Sequence, residues 1–310
     1  MPHHPEIGGK KPSIPRGHSC ASSIDFHAPS DPLTAPLRDI IARHDLTARK
    51  ALGQHFLLDL NLTARIAALA APLAGVNVIE VGPGPGGLTR ALLASAAASV
   101  TAVEIDRRAI AALEEMRGAA GPRLRVVAAD AVGLDYRALV PAPRAIIANL
   151  PYNIATPLLL GWLREAAAFE RLVLMFQREV ADRLCARPGS PDYGRLAVLT
   201  QFLCRVERAL VLPPQAFTPP PKVFSAVVVL EPHAEQPAPA LRAALERLTA
   251  AAFGQRRKML RGALRGLGGE ALLRDAEIDG TRRAESLEIA EFAHLAGRLA
   301  AREAPGITKF

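Results

Sequence analysis

The run Val76-Asn77-Val78-Ile79-Glu80-Val81-Gly82-Pro83-Gly84-Pro85-Gly86-Gly87 decides the fold. Val76 to Val81 is a buried strand by its apolar, β-branched content, and the turn behind it opens a helix from Leu88 to about Ala97. Glycines at such a turn let the backbone pass close to a ligand at the helix amino terminus, where N–H groups have no partner inside the helix. The neighbours of the turn select the nucleotide. Glu80 completes E-x-G-x-G-x-G, and a carboxylate at this point suits an ammonium better than a pyrophosphate. The expectation therefore moves from a dinucleotide to S-adenosylmethionine, whose methionine half carries an ammonium and whose sulfonium is positive.

The strands that follow repeat the arrangement. Val100 to Val103 ends at Glu104, with Asp106 two residues on, about twenty residues past the glycine turn, where α/β folds hold ribose hydroxyls. Leu124 to Ala128 leads to Asp130, placed to accept from an adenine amine. One strand-end carboxylate is often only a helix cap; Glu80, Glu104 and Asp130 in succession favour a binding crevice.

A fourth strand, Ala145 to Ala148, delivers Asn149-Leu150-Pro151-Tyr152 to the same end of the sheet. The Asn149 side-chain oxygen and the Leu150 carbonyl can each accept from an exocyclic amine, and Pro151 stiffens the backbone between them. Tyr152 adds a stacking face, so the tetrapeptide has the parts that hold a flat, amino-bearing ring. A helix from Ala155 to about Glu165 and a strand from Leu172 to Phe176 continue the alternation, which predicts a parallel, doubly wound sheet. Val206 to Leu212 and Ser225 to Leu230 form a closing antiparallel pair. The proline-rich connection between them presents Phe217, a candidate clamp for the second face of a base stacked on Tyr152.

At 310 residues the chain suggests one large and one small domain. Residues 1–31, rich in Pro, His, Ser and Gly without a signal-like apolar run, are expected to be a disordered extension. Residues 32–232 are assigned to an α/β nucleotide-binding domain and 233–310 to an all-helical one, after a Pro/Ala linker from Pro232 to Pro239. The helical part carries Gln255-Arg256-Arg257-Lys258, with Arg261 and Arg265 following at helical spacing. The net charge of +8 and pI near 9.9 favour a polyanionic partner, nucleic acid before membrane, so the basic helix face is assigned to phosphates. The three cysteines are far apart with no C-x-x-C spacing, which argues against a zinc site or disulfides and fits a reducing cytoplasm. No metal is called for. No apolar run approaches the ~20 residues that span a bilayer.

Five separated motifs together resemble the ribosomal RNA small-subunit adenine N6,N6-dimethyltransferase family. They are Leu52-Gly53-Gln54-His55-Phe56-Leu57, Glu80-Val81-Gly82-Pro83-Gly84, Asn149-Leu150-Pro151-Tyr152-Asn153, Ala216-Phe217-Thr218-Pro219-Pro220-Pro221-Lys222-Val223, and Phe253-Gly254-Gln255-Arg256-Arg257-Lys258. The resemblance runs from about Ala48 to the last helix. It implies a Rossmann-like methyltransferase domain followed by a smaller helical one. It further implies S-adenosylmethionine contacts at His55, Leu57, Gly82, Glu104, Asp130 and Asn149; the chemistry of the residues themselves assigns catalysis to Asn149, Leu150 and Tyr152, and RNA contacts to Tyr152, Phe217, Arg256, Arg257 and Lys258. Many relatives have asparagine where this chain has His55.

The implied substrate is a pair of adjacent adenosines in a loop near the 3′ end of small-subunit (16S) ribosomal RNA, each methylated twice by a monomeric cytoplasmic enzyme acting on the immature subunit. Two other readings stay open at this point: a large-subunit (23S) adenine methyltransferase conferring antibiotic resistance, and an assembly factor whose RNA binding matters more than its catalysis. A nicotinamide dehydrogenase is disfavoured by Glu80 and the Asn149 tetrapeptide.

Overall fold

In the computed structural model, residues 1–3, 31–49 and 52–303 are described. The expected extension at residues 1–31 falls almost wholly outside them. The described residues from Asp31 to Glu303 belong to one compact unit, and all that follows concerns that unit.

The strands are β1 (Phe56–Leu57), β2 (Asn77–Val81), β3 (Ser99–Glu104), β4 (Leu124–Ala128), β5 (Arg144–Asn149), β6 (Arg171–Gln177), β7 (Cys204–Leu212), β8 (Phe217–Thr218) and β9 (Ser225–Pro232). Seven of them make one sheet in the order β4-β3-β2-β5-β6-β9-β7. The first five in that order are mutually parallel, and β9 runs antiparallel to both β6 and β7, so the expected closing pair is present. The sheet order reverses between β2 and β5, and that reversal opens the crevice at the strands' carboxyl ends.

A parallel sheet needs cover on both faces, and alternation along its strands supplies two apolar layers. Ile79, Val81, Ile146, Ala148, Leu172, Leu174 and Phe176 join one core with Leu159 and Trp162. Their neighbours Val78, Ala145, Ile147, Val173 and Met175 join the other, with Leu92, Leu113 and Met116.

The covering helices are α1 (Leu37–Arg43), α2 (Leu60–Ala68), α3 (Gly87–Leu93), α4 (Arg107–Ala120), α5 (Tyr136–Leu139), α6 (Tyr152–Arg164), α7 (Arg178–Leu184) and α8 (Arg195–Leu203). Beyond β9 come α9 (Pro239–Gly254), α10 (Leu260–Ala263), α11 (Gly269–Asp275) and α12 (Ile289–Glu303). A third core ties Val198 and Leu199 of α8 to Leu245 and Leu248 of α9 and to Leu295 and Leu299 of α12. The helical segment therefore shares a packed seam with α8. No described helix is long and apolar enough to cross a membrane.

Arg90 on α3 explains how the chain enters the fold. It is only 8% exposed, and its guanidinium donates to the carbonyls of Ala35 and Pro32, each at 2.6 Å. Hydrogen bonds from a charged group contribute about 1.5–3 kcal/mol each, and carbonyls stranded without a donor add a penalty. We expect Arg90→Ala to lower unfolding free energy by about 2–4 kcal/mol in a urea titration. A loss under ~0.5 kcal/mol would mean that the entry segment is not held by this residue.

Candidate active site

Glu80 on β2, Glu104 at the end of β3, Asp130 just beyond β4 and Asn149 at the end of β5 line one cavity with Gly82. Its volume is about 1090 Å3, including the mouth that opens to solvent. Another wall is the segment from Leu52 to Leu57, held across the chain because β1 pairs antiparallel with β8, Leu57 opposite Phe217. Leu150, Pro151 and Tyr152 complete the lining. The six residues expected to contact the cofactor and the three expected to act in catalysis therefore meet in one crevice.

Gly84 and Gly86 show why the turn needs glycine. Gly84 has φ +55°, and a Cβ there would sit 2.9 Å from the Phe56 ring. Gly86, the residue before α3, has φ +85° and abuts Met116. Both backbone conformations are ones that L side chains adopt at a cost.

The strand-end carboxylates are held differently from one another. Glu104 accepts from the amides of Ile105 at 2.8 Å, Asp106 at 2.9 Å and Gly84 at 3.2 Å, so it locks the glycine turn to the end of β3. Burial still pushes its pKa up, against those three amides. Asp106, read as a second ribose candidate, caps α4 instead. It is held down at about 2, chiefly by the Arg108 guanidinium, with Gln54 donating to it as well. Its oxygens are thus committed within the protein. Asp130 accepts from the Val132 amide at 2.9 Å.

Glu80 is 1% exposed and accepts a 2.6 Å hydrogen bond from the Thr89 hydroxyl. Burial pushes its pKa up to about 8; the Thr89 bond opposes this and the Glu104 carboxylate adds to it. A carboxyl raised in the folded state binds more protons folded than unfolded, so its contribution to stability falls as pH rises from the ordinary carboxyl range to about 8. A cation bound beside it would reverse the shift. We therefore expect S-adenosylmethionine binding at pH 7 to release a proton, seen as a buffer-dependent enthalpy in calorimetry. Glu80→Gln should remove that dependence, and an unchanged buffer dependence in this variant would assign the proton elsewhere.

On the other side of the crevice the Asn149 amide nitrogen donates to the His55 carbonyl at 3.1 Å. A carbonyl only accepts, so the amide is oriented and its oxygen is left with no donor among the described residues. The Tyr152 hydroxyl pairs with the Ser225 hydroxyl at 2.6 Å, and its ring stacks with His55 at 5.7 Å between centroids.

Two expectations are corrected. Phe217 does not line the cavity: it is 3% exposed and packed in the core with Leu57 and Leu212. On a two-residue strand one side chain faces in and the next out, and here Thr218 is the outward one. Arg256, Arg257 and Lys258 do not sit on a helix face; they form the turn between α9 and α10. The helix stops at Gly254, and Arg256 then donates to the carbonyls of Pro191 and Tyr193 at 3.1 and 3.0 Å. These three cations lie outside the cavity lining. Conversely, Ile105 belongs to the site without standing out in the sequence. It lines the cavity and is 57% exposed, unusual for a large apolar side chain. Its one sequence signal is its place directly after a strand-end carboxylate.

A doubly wound sheet whose crevice combines a glycine turn, a buried carboxyl able to meet an ammonium and an oriented amide beside a tyrosine defines an S-adenosylmethionine-dependent methyltransferase. The model of the family described as "Ribosomal RNA adenine dimethylase" matches residues 45–301, and the chain belongs to that family. It is 61% identical over 269 residues to the ribosomal RNA small subunit methyltransferase A of Gluconobacter oxydans, covering 86% of this chain and 89% of that protein. To the protein of the same name from Rhodospirillum rubrum it is 56% identical, covering 88% and 95%. Among solved structures, a dimethyladenosine transferase from Plasmodium falciparum superposes with a TM-score of 0.68 at 25% identity, covering 78% of this chain and 96% of that one. The 23S rRNA methyltransferase ErmE superposes at 0.61 with 31% identity, covering 79% and 99%.

Proposed function

We propose that the protein transfers methyl groups from S-adenosylmethionine to N6 of two adjacent adenosines in a loop near the 3′ end of small-subunit (16S) ribosomal RNA, giving N6,N6-dimethyladenosines during small-subunit assembly. The observation that carries this reading is the Asn149 amide, held by the His55 carbonyl with its oxygen unused, in one cavity with Tyr152 and three strand-end carboxylates. The small-subunit target is supported by relatives named for it at 61% and 56% identity, against 31% for the 23S enzyme.

The cofactor's place is His55, Leu57, Gly82, Glu104, Asp130 and Asn149, with Glu80 for its ammonium and Ile105 as an apolar wall. A glycine turn and a buried carboxyl in the same cavity wall fit a cationic nucleoside. When bound, S-adenosylmethionine supplies an electrophilic methyl group on a sulfonium.

The residues of this chain do the rest. Adenine N6 is a weak nucleophile because its lone pair is delocalised into the ring. The Asn149 oxygen and the Leu150 carbonyl accept the two amine hydrogens, which favours a pyramidal nitrogen with a localised lone pair. Tyr152 stacks the ring, and stacking returns ~1–3 kcal/mol per base. Loop bases suit this, since a stacked duplex base costs a few kcal/mol to extract. The amine becomes acidic only once alkylated, so its proton can pass to water at the open mouth without a dedicated base. Binding a second time as the monomethyl amine gives up one of the two acceptor bonds, which an open cavity allows.

Residues 233–310, led by Arg256, Arg257 and Lys258, form the RNA-binding part, and the enzyme works as a cytoplasmic monomer on the immature subunit. The test supplies tritiated methyl donor to small and large ribosomal subunits from cells lacking the protein. Label on two adjacent adenosines of the small-subunit RNA is the expected result, and label confined to the large subunit would overturn the proposal.

A further inference from the structure

His55 touches three parts of the site at once. Its carbonyl accepts from the Asn149 amide at 3.1 Å, its ring Nδ1 lies 2.7 Å from the Pro219 carbonyl, and its ring stacks on Tyr152 with planes 29° apart. The Pro219 oxygen can only accept, so Nδ1 carries the hydrogen and the imidazole is fixed in orientation as well as in place. Tyr152 is consequently held at two points, by Ser225 at its hydroxyl and by His55 at its face.

The spacing of the two rings decides what a base can do there. A third ring slid between them would need about 7 Å, two van der Waals layers of ~3.5 Å, and the centroids are 5.7 Å apart. We propose that the His55 side chain is a positioning residue for the target adenine: anchored to the Pro219 carbonyl, it covers one face of Tyr152, sets the tilt of that ring and confines the base to the other face. This rests on the proposed stacking of an adenine on Tyr152. It gives the imidazole an acceptor-side role and leaves the cofactor contact at this position to the main chain.

A side-chain substitution leaves the backbone carbonyl, and with it the Asn149 bond, so the ring can be tested separately from the amide. Three variants divide its two contacts. His55→Ala removes both, His55→Asn keeps a donor for Pro219 without a ring, and His55→Phe keeps a ring without the donor. We expect His55→Ala to slow single-turnover methyl transfer to small subunits by about ten- to a hundred-fold, as misplacement of a reacting group does. S-adenosylmethionine affinity by calorimetry should stay within a few-fold, which also reports that the variant is folded. His55→Phe should recover more of the rate than His55→Asn.

Unchanged turnover in His55→Ala would overturn the proposal. So would a defect confined to cofactor affinity, and so would faster turnover, which would make His55 a competitor for the base. Tyr152→Ala and Asn149→Ala measured alongside separate the two levels. If they too keep full turnover, the acceptor site itself is misplaced; if they fail while His55→Ala does not, only the role given to His55 falls.

Discussion

Asn149→Ala should slow methyl transfer by about a hundred- to a thousand-fold while RNA affinity stays within a few-fold; removing one preorganised polar group aimed at a reacting atom costs about that much. The amide is oriented before substrate arrives, because its nitrogen is committed to the His55 carbonyl at 3.1 Å. In the proposed mechanism the oxygen would meet the amine at no cost in reorganisation, and that readiness is what alanine should remove. Asn149→Asp separates shape from orientation. It keeps an acceptor but sets a carboxylate oxygen against the His55 carbonyl with no hydrogen between them, so it should be as slow as alanine. Tritium incorporation into small subunits measures the rate and a gel shift measures the RNA affinity. Wild-type turnover in the alanine variant would take Asn149 out of the mechanism, and wild-type turnover in the aspartate variant would remove the role given to its orientation.

The sheet is legible in the sequence because its signals are local. The apolar run of β2 and the glycines behind it, and the Asp59 cap of α2 accepting from Asn61 and Leu62, each lie within a few residues of the element they specify. Strand-end carboxylates are legible as a set, since every strand of a parallel sheet brings its carboxyl end to the same edge. Their division of labour is not. Whether Glu104 or Asp106 is committed within the protein depends on Gly84, Gln54 and Arg108 in three dimensions. Phe217 misleads in sequence because its burial comes from pairing with Leu57, on a strand far away along the chain, while its own neighbours are prolines that look like an exposed spacer. For the basic turn a local signal does exist. Gly254 is the last residue of α9, and glycine is a poor helix former, although the helical spacing of Arg261 and Arg265 suggests that the helix continues past it.

That turn sets the second large effect. Replacing Arg257 and Lys258 with glutamine should reduce the slope of log affinity against log salt by roughly 0.7–0.9 for each phosphate that is no longer neutralised. Affinity for small-subunit RNA should fall about ten-fold or more per charge-assisted hydrogen bond removed. Neither side chain has a hydrogen-bond or ion-pair partner among the described residues, so their removal leaves the fold as it was and the effect should be purely electrostatic. Arg256 is different, because it also donates to the carbonyls of Pro191 and Tyr193 and so pins the loop before α8. Adding Arg256→Gln should lower affinity further with a component that high salt does not remove, and should lower the melting temperature as well. If the Arg257 and Lys258 pair can be replaced with no change in salt slope, the turn is a solvated surface and the RNA must be held by other cations of the helical segment, Arg261 and Arg265 first.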